Sequence, residues 1–219
     1  IVMLTIIKYR LPQFVLLAVV LAGCSFGTNQ RKTLNQAIDQ GLVDVEFTNL
    51  GTFGDVMIAT VYGKATDSIE LTIPSGLIIK NEGSDEDFVL VRYQGMLSAA
   101  DAIDPQLEEL LTAHKDQTSY GLIEAYSIEA YTNSPAISDT FRLDGFADDD
   151  LKMLIDVLAQ KPHDQFAAKQ IAIWAITDDA DREVIYWASS LFKEEDFEQA
   201  KALLIEAKLD PANYLLFAE

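Results

Sequence analysis

The hydrophobic period changes along this chain, and that change restricts the fold more than any other feature. From Gly41 to about Gln94, apolar and polar residues alternate, which is the two-residue period of a β-strand with one buried face. After Gly145, apolar residues recur every three or four positions, which is the period of an amphipathic helix. Strands followed by helices indicate an α+β protein.

The β-rich part is predicted to span residues 41–145 and to form an antiparallel β-sandwich or barrel of Ig-like type, because its strands are short and separated by turn-forming residues. Asp104-Pro105 can begin a short helical insertion, with Leu107, Leu110 and Leu111 on one face. A last strand is expected from Gly121 to Tyr131. The alternating positions of the earlier strands are Val43, Val45 and Phe47; Val56, Ile58, Thr60 and Tyr62; Ile69, Leu71 and Ile73; Leu77 and Ile79; and the run Phe88 to Tyr93.

Residues 146–219 are predicted to form a helical subdomain, and residues 24–40 a polar tether with a helical turn through Leu34 and Ile38. The helices are expected at 148–160, 164–177, 182–192 and 193–208, followed by a turn that begins at Asp210-Pro211.

The first 23 residues have the order of an export signal. Lys8 and Arg10 precede an apolar run from Phe14 to Ala22, and small residues lead to Cys24. The run is shorter than the roughly 20 apolar residues that a membrane-spanning helix needs. Pro12 interrupts any longer helix. We therefore expect a signal peptide over residues 1–23, with a plain membrane helix as the alternative.

Leu21-Ala22-Gly23-Cys24 resembles the lipobox of bacterial lipoproteins. That resemblance implies cleavage before Cys24, acyl chains on its thiol and amine, and residence in the cell envelope as a lipid-anchored protein. Ser25 then favours the outer membrane of a Gram-negative cell. A chance cysteine behind an ordinary signal remains the alternative. Because Cys24 is the chain's only cysteine, the fold has no internal disulfide.

The composition limits the partners. The net charge is −19, so the chain lacks the basic surface that nucleic acid or anionic lipid would require. Yet 49% of the residues are hydrophobic, which indicates a globular protein. The expected contacts are the membrane, through the lipid, and a protein or polymer of the envelope.

Gln170 is the polar residue that stands out in the helices. Phe166, Gln170, Ile173 and Trp174 share one helical face, so an amide lies on the side expected to pack. The ordinary interpretation is a buried glutamine that hydrogen-bonds a strand edge.

The segment from Gln170 to Trp174 also resembles the Gln-x-Ala-Ile-Trp helix of bacterial surface thioester domains. In those domains the glutamine is joined to an upstream cysteine, and the product captures amines. Here Ser127 stands at the corresponding position, so the resemblance implies a scaffold with a vestigial cross-link pair, Ser127 and Gln170, and no reaction. An adhesion role follows from this resemblance alone.

Other chemistry finds little support in the sequence. The chain has two histidines, His114 and His163, in no catalytic or zinc-binding spacing, and no cofactor is expected. Asp179, Asp181 and Glu183 alternate as in a calcium loop but lack its glycine and closing glutamate, so helix capping is the alternative. The predicted function is a non-catalytic binding or structural module. Because 35 acidic residues allow many carboxylate pairs, a small envelope hydrolase is the alternative.

Overall fold

A computed structural model of the protein describes residues 30–51, 53–102, 105–106, 108–131, 136, 139–188 and 191–218. Cys24, the lipobox and the predicted signal peptide lie outside these residues. None of the helices in the described ranges is long and apolar enough to cross a membrane.

The described residues form nine strands in two sheets. A three-stranded sheet has the order β1-β4-β7, and a six-stranded antiparallel sheet has the order β2-β3-β8-β6-β5-β9. The pair β1–β4 is parallel. The strands are β1 (Gln30–Thr33), β2 (Val43–Asn49), β3 (Phe53–Gly63), β4 (Ile69–Thr72), β5 (Leu77–Asn81), β6 (Phe88–Leu97), β7 (Leu111–Ala113), β8 (Thr118–Ser127) and β9 (Phe141–Phe146).

Five α-helices accompany the sheets in the described ranges, and four of them follow β9. Short 3-10 turns precede the third helix and end the chain. The α-helices are α1 (Leu34–Asp39), α2 (Asp149–Leu158), α3 (Phe166–Thr177), α4 (Arg182–Ala188) and α5 (Glu194–Glu206), and the 3-10 turns are His163–Gln165, Pro211–Asn213 and Leu215–Phe217.

The six-stranded sheet is nearly barrel-like. Its two end strands, β2 and β9, lie near each other, but in the described ranges each is hydrogen-bonded to a neighbouring strand on one side only, β2 to β3 and β9 to β5. The barrel is therefore open along one seam. The structure thus confirms an α+β protein with antiparallel strands first and helices at its C-terminal end.

Two large hydrophobic cores lie on opposite faces of the six-stranded sheet, and a small third cluster contains Ile58, Leu97 and Leu122. The inner core contains side chains from both sheets and from α1, among them Leu34, Phe47, Leu71, Phe88 and Ile123. The outer core lies between the sheet and the C-terminal helices, and includes Tyr126. Because its middle strands pack on both faces, β8 is buried continuously from Gly121 to Ser127.

Several details differ from the sequence predictions. Residues 30–39 of the predicted tether form β1 and α1, with Leu34 buried. The predicted helix after Pro105 is wrong for Leu111, which lies in β7; Leu111 and Ala113 are buried on either side of Thr112, the alternation of a strand. In β3 the inner core receives Met57, Ala59 and Val61; of the predicted face, Ile58 is buried in a separate small cluster and Tyr62 is exposed. Met57 and Ala59 are weak β-formers, and Val61 alone could not reveal the inner face.

Candidate functional site

A buried carboxylate, Glu124, lies at the centre of a polar cluster between the six-stranded sheet and the helices. It stands on the outer face of β8 in the same alternation as Leu122 and Tyr126, so it points towards the helices. Its side chain is fully buried. A buried carboxylate is costly unless donors surround it.

Glu124 accepts four side-chain hydrogen bonds. Oε1 accepts one from Lys169 Nζ at 2.6 Å and one from Tyr126 Oη at 2.8 Å. Oε2 accepts one from Arg92 Nη2 at 2.5 Å and one from Gln94 Nε2 at 3.0 Å. His163 Nδ1 lies 3.8 Å from the same oxygen. Each carboxylate oxygen therefore has two donors.

Two irregularities in β6 bring the donors to this face. The register against β8 shifts between Leu90 and Arg92, and shifts again between Tyr93 and Gly95. In a regular strand Arg92 would point the same way as Leu90, into the inner core. The shift at Val91 sets Arg92 opposite Glu124, on the helix side, as β-bulges commonly re-aim side chains.

Lys169 completes the cluster from α3. Its side chain is fully buried, and burial lowers the pKa of its amine, while the hydrogen bond with Glu124 opposes that shift. A buried lysine with a lowered pKa is a feature of reactive amines. Here, however, the amine is bonded to the Glu124 carboxylate, and both side chains are fully buried. This geometry indicates that the ion pair holds α3 against the sheet.

The rim of this cluster reaches solvent. The Arg92 side chain is 29% exposed and donates from Nη1 to the Lys161 backbone oxygen at 3.1 Å, while the His163 side chain is 46% exposed. Arg92 thus ties β6 to the segment between α2 and α3 as well as to Glu124.

Gln170 and Ser127 are neighbours, but the Gln170 side chain contacts the backbone of Ser127 and not its hydroxyl. Gln170 Nε2 donates to the backbone oxygen of Ser127 at 2.8 Å, at the end of β8. Ser127 Oγ donates to the backbone oxygen of Glu129 at 3.0 Å. This is the hydrogen bond to a strand that the sequence offered as the ordinary interpretation of a buried glutamine.

A second cluster, here called the acidic joint, consists of Glu86, Asp87, Glu129 and Asp178. The Asp87 backbone N–H donates to Glu129 Oε2 at 2.6 Å, and the Ala130 N–H donates to Asp178 Oδ2. Burial raises the pKa of Glu86 to about 7. Burial, with the charges of Asp87, Asp178 and Glu86, raises the pKa of Glu129 to about 8, against the opposing hydrogen bond from Asp87. Burial also raises the pKa of Asp178.

The three calcium candidates, Asp179, Asp181 and Glu183, do not share a common site in the structure. Asp179 Oδ1 accepts from the Leu215 N–H at 2.7 Å, and Asp181 Oδ1 accepts from the Val184 N–H at 2.9 Å in the first turn of α4. Glu183 is exposed in the same turn. In the described ranges no three acidic, histidine or cysteine side chains are grouped so that they could hold a metal ion.

A groove follows the seam between β2 and β9 and is called the edge groove here. Its cavity measures about 580 Å³. Apolar side chains from the two edge strands and charged side chains beside them share the lining. The lining residues are Ile38, Gly41, Val43, Asp44, Val45, Glu46, Phe47, Thr60, Tyr62, Phe141, Arg142 and Leu143.

The sequence analysis did not predict the Glu124 cluster or the edge groove. Glu124 lies between the apolar residues Leu122 and Tyr126 of a predicted strand face, and that position was the available signal. Comparisons with protein-family models, with curated proteins and with solved structures found no match to this chain.

Proposed function

We propose that this protein is a lipid-anchored binding module of the cell envelope that does no chemistry and holds a partner along the edge groove. The observation that carries the proposal is the open seam of the six-stranded sheet. There, two edge strands, each paired on one side among the described residues, border a largely apolar cavity. Exposed strand edges are sites where other chains add, unless a protein blocks them.

The charged residues inside the protein support a binding role over a catalytic one. Lys169 and Arg92 both bond to Glu124, and Lys169 and Glu124 are fully buried. A catalytic group needs access to a substrate within hydrogen-bond reach. A fixed network of this kind holds α3 against the sheet.

The anchor rests on the resemblance of residues 21–24 to a lipobox. Two or three acyl chains on Cys24 would hold the acidic body at a membrane, because each buried CH₂ contributes about 0.8 kcal/mol. The finer fold prediction, an Ig-like sandwich, is likewise a proposal, as is the relation to thioester domains. For the latter, the support is the proximity of Gln170 to the end of β8.

Intact mass spectrometry of protein extracted in detergent tests the anchor. The expected mass begins at Cys24 and includes acyl chains. A Cys24→Ser variant should keep its signal peptide, since the thiol receives the first lipid. Wild-type protein with the signal attached, or without lipid, would overturn the proposed anchor. The same spectrum tests Ser127 and Gln170, because a cross-link between them would release one ammonia.

The acidic joint favours a second candidate, a hydrolase that uses paired carboxyl groups. Two carboxyls with raised pKa values, Glu86 and Glu129, are the kind of pair from which general acids are drawn. However, Glu86 is 1% exposed, and neither residue lines a described pocket. Release of reducing sugar from envelope polysaccharides by the wild-type protein, lost in Glu129→Gln but kept in Glu198→Gln, would establish this activity.

A further inference from the structure

The edges of the seam have the length of a strand-binding site. β2 contains seven residues and β9 contains six. At about 3.3 Å per residue, each edge is roughly 20 Å long, which matches an ordinary strand of a globular protein. In the described part of the protein, β2 pairs with β3 and β9 pairs with β5, so their other sides face the groove.

Apolar and charged side chains alternate along the β2 side of the edge groove. On β2, Val43 and Phe47 are buried and Val45 is half-buried, while Asp44 and Glu46 between them are exposed. Phe141 and Leu143 supply apolar surface from β9. A strand bound at this edge would therefore meet apolar and charged side chains in alternation, because cross-strand neighbours lie on the same face.

The unbalanced charge of the edge groove is negative. Asp44 is paired with Lys64 at 2.5 Å, and Arg142 is paired with Asp144 at 2.7 Å and with Glu82 at 3.4 Å. Glu46 is exposed and has no ion pair among the described residues. The whole chain adds a net charge of −19, which attracts a basic partner and repels a second copy of this protein.

We propose that the edge groove binds an extended peptide segment of another protein, with alternating apolar and basic residues, which adds to β2 as a further strand. Backbone hydrogen bonds to β2 supply the affinity, and Glu46 pairs with a lysine or arginine of the segment. The bound strand lies beside Val45 on the free side of β2. This inference rests on the proposed binding function and names its partner class.

A synthetic peptide of about ten residues, with alternating valine and lysine, is the probe. Fluorescence anisotropy at low salt should show binding, and a valine–glutamate peptide should not bind. Glu46→Lys should weaken binding about tenfold, because a favourable contact becomes a like-charge contact. Glu198→Lys, which makes the same charge change on exposed α5, should leave the affinity within about twofold.

Hydrogen exchange and backbone methylation test the strand pairing itself. The peptide should slow hydrogen exchange of the β2 amides. Two N-methylated peptides, one carrying the methyl groups on the odd residues and one on the even residues, test the backbone pairing. At least one of them should fail to bind. Equal weakening by both charge variants, unchanged exchange in β2, or unchanged binding of both methylated peptides would overturn the proposal. So would β2 protection that grows with protein concentration without peptide, since the occupant would then be a second copy. The lipid anchor is judged separately by intact mass.

Discussion

At the scale of single residues, the stability of this protein depends on a few charges that water cannot reach. Glu124 is surrounded by donors from β6, β8 and α3, and the fully buried Lys169 amine would lose its counterion if the carboxylate were lost. Such a network contributes less to stability when intact than its loss removes. The Glu124 cluster should therefore fix how α3 packs on the sheet more than it adds to the free energy of unfolding.

We expect Glu124→Gln to lower the free energy of unfolding by about 3 kcal/mol, because Lys169 then keeps a buried charge without its counterion. Urea denaturation measures this. Glu198→Gln, an exposed change of the same type, should stay within about 0.5 kcal/mol. Adding Lys169→Met to Glu124→Gln should cost less than the sum of the two single changes. A loss under about 1 kcal/mol in Glu124→Gln would contradict the role of the cluster.

The sequence identified Gln170 but not its neighbour Lys169, and the reason is physical. Residues 168–175 of α3 are all buried, so this helix has no single apolar stripe against which a charged residue would stand out. Arg92 was hidden for a different reason, because a bulge moves it away from the face that strict alternation assigns. Gln170 could be identified from the sequence because it interrupts the apolar face formed by Phe166, Ile173 and Trp174.

At the scale of elements, the irregularities of β6 matter as much as its regular part. Gly95 lies at the second register shift, next to Gln94, and has a φ of +144°. A Cβ built there would lie 2.3 Å from the Gln106 backbone oxygen. The isolated bridge between Met96 and Gln106 thus requires glycine at this position.

We predict that Gly95→Ala lowers the free energy of unfolding by about 3 kcal/mol, since both the backbone conformation and the close contact oppose a side chain. Gly41→Ala is the matched control. Gly41 also has positive φ, +65°, but nothing lies within 4 Å of its Cβ position, so it should lose only about 1 kcal/mol. Thermal and urea denaturation measure both losses, and equal losses would show that the Gln106 contact has no weight.

The order of elements was predictable because each depends on local periodicity. The four C-terminal helices begin and end within a few residues of their predicted limits, apart from α4, which ends at Ala188. The pairing of β1 with β4 and of β5 with β9 was not predictable, because both join distant segments whose own patterns name no partner. Leu111 was misassigned because Leu107, Leu110 and Leu111 have the spacing of a helix as well.

At the scale of the whole molecule, packing on two faces of one sheet explains both the fold and its openings. The inner core holds the barrel-like sheet against the smaller sheet, and the outer core holds the helices. Neither covers the seam between β2 and β9. Because closure depends on contacts between the two ends of a six-stranded sheet, no local pattern in the sequence could reveal that the seam stays open.

The acidic joint makes stability depend on pH in a direction opposite to that of ordinary salt-bridged acids. Glu86 and Glu129 titrate near 7 and 8 in the folded protein, against 4.5 ordinarily, so the folded state holds protons that the unfolded chain releases. Their contribution is complete below about pH 4.5 and is lost as pH rises through 7 and 8.

We expect the free energy of unfolding to fall by about 2 kcal/mol or more between about pH 5 and pH 9. The double variant Glu86→Gln/Glu129→Gln should lose most of this dependence of the free energy of unfolding on pH. Glu198→Gln, which removes one exposed negative charge, should keep the wild-type slope. The comparison separates the effect of the acidic joint from the general charge repulsion of an acidic chain. Urea titrations across this range decide the matter, and a double variant as steep as the wild type would assign the pH dependence to net charge instead.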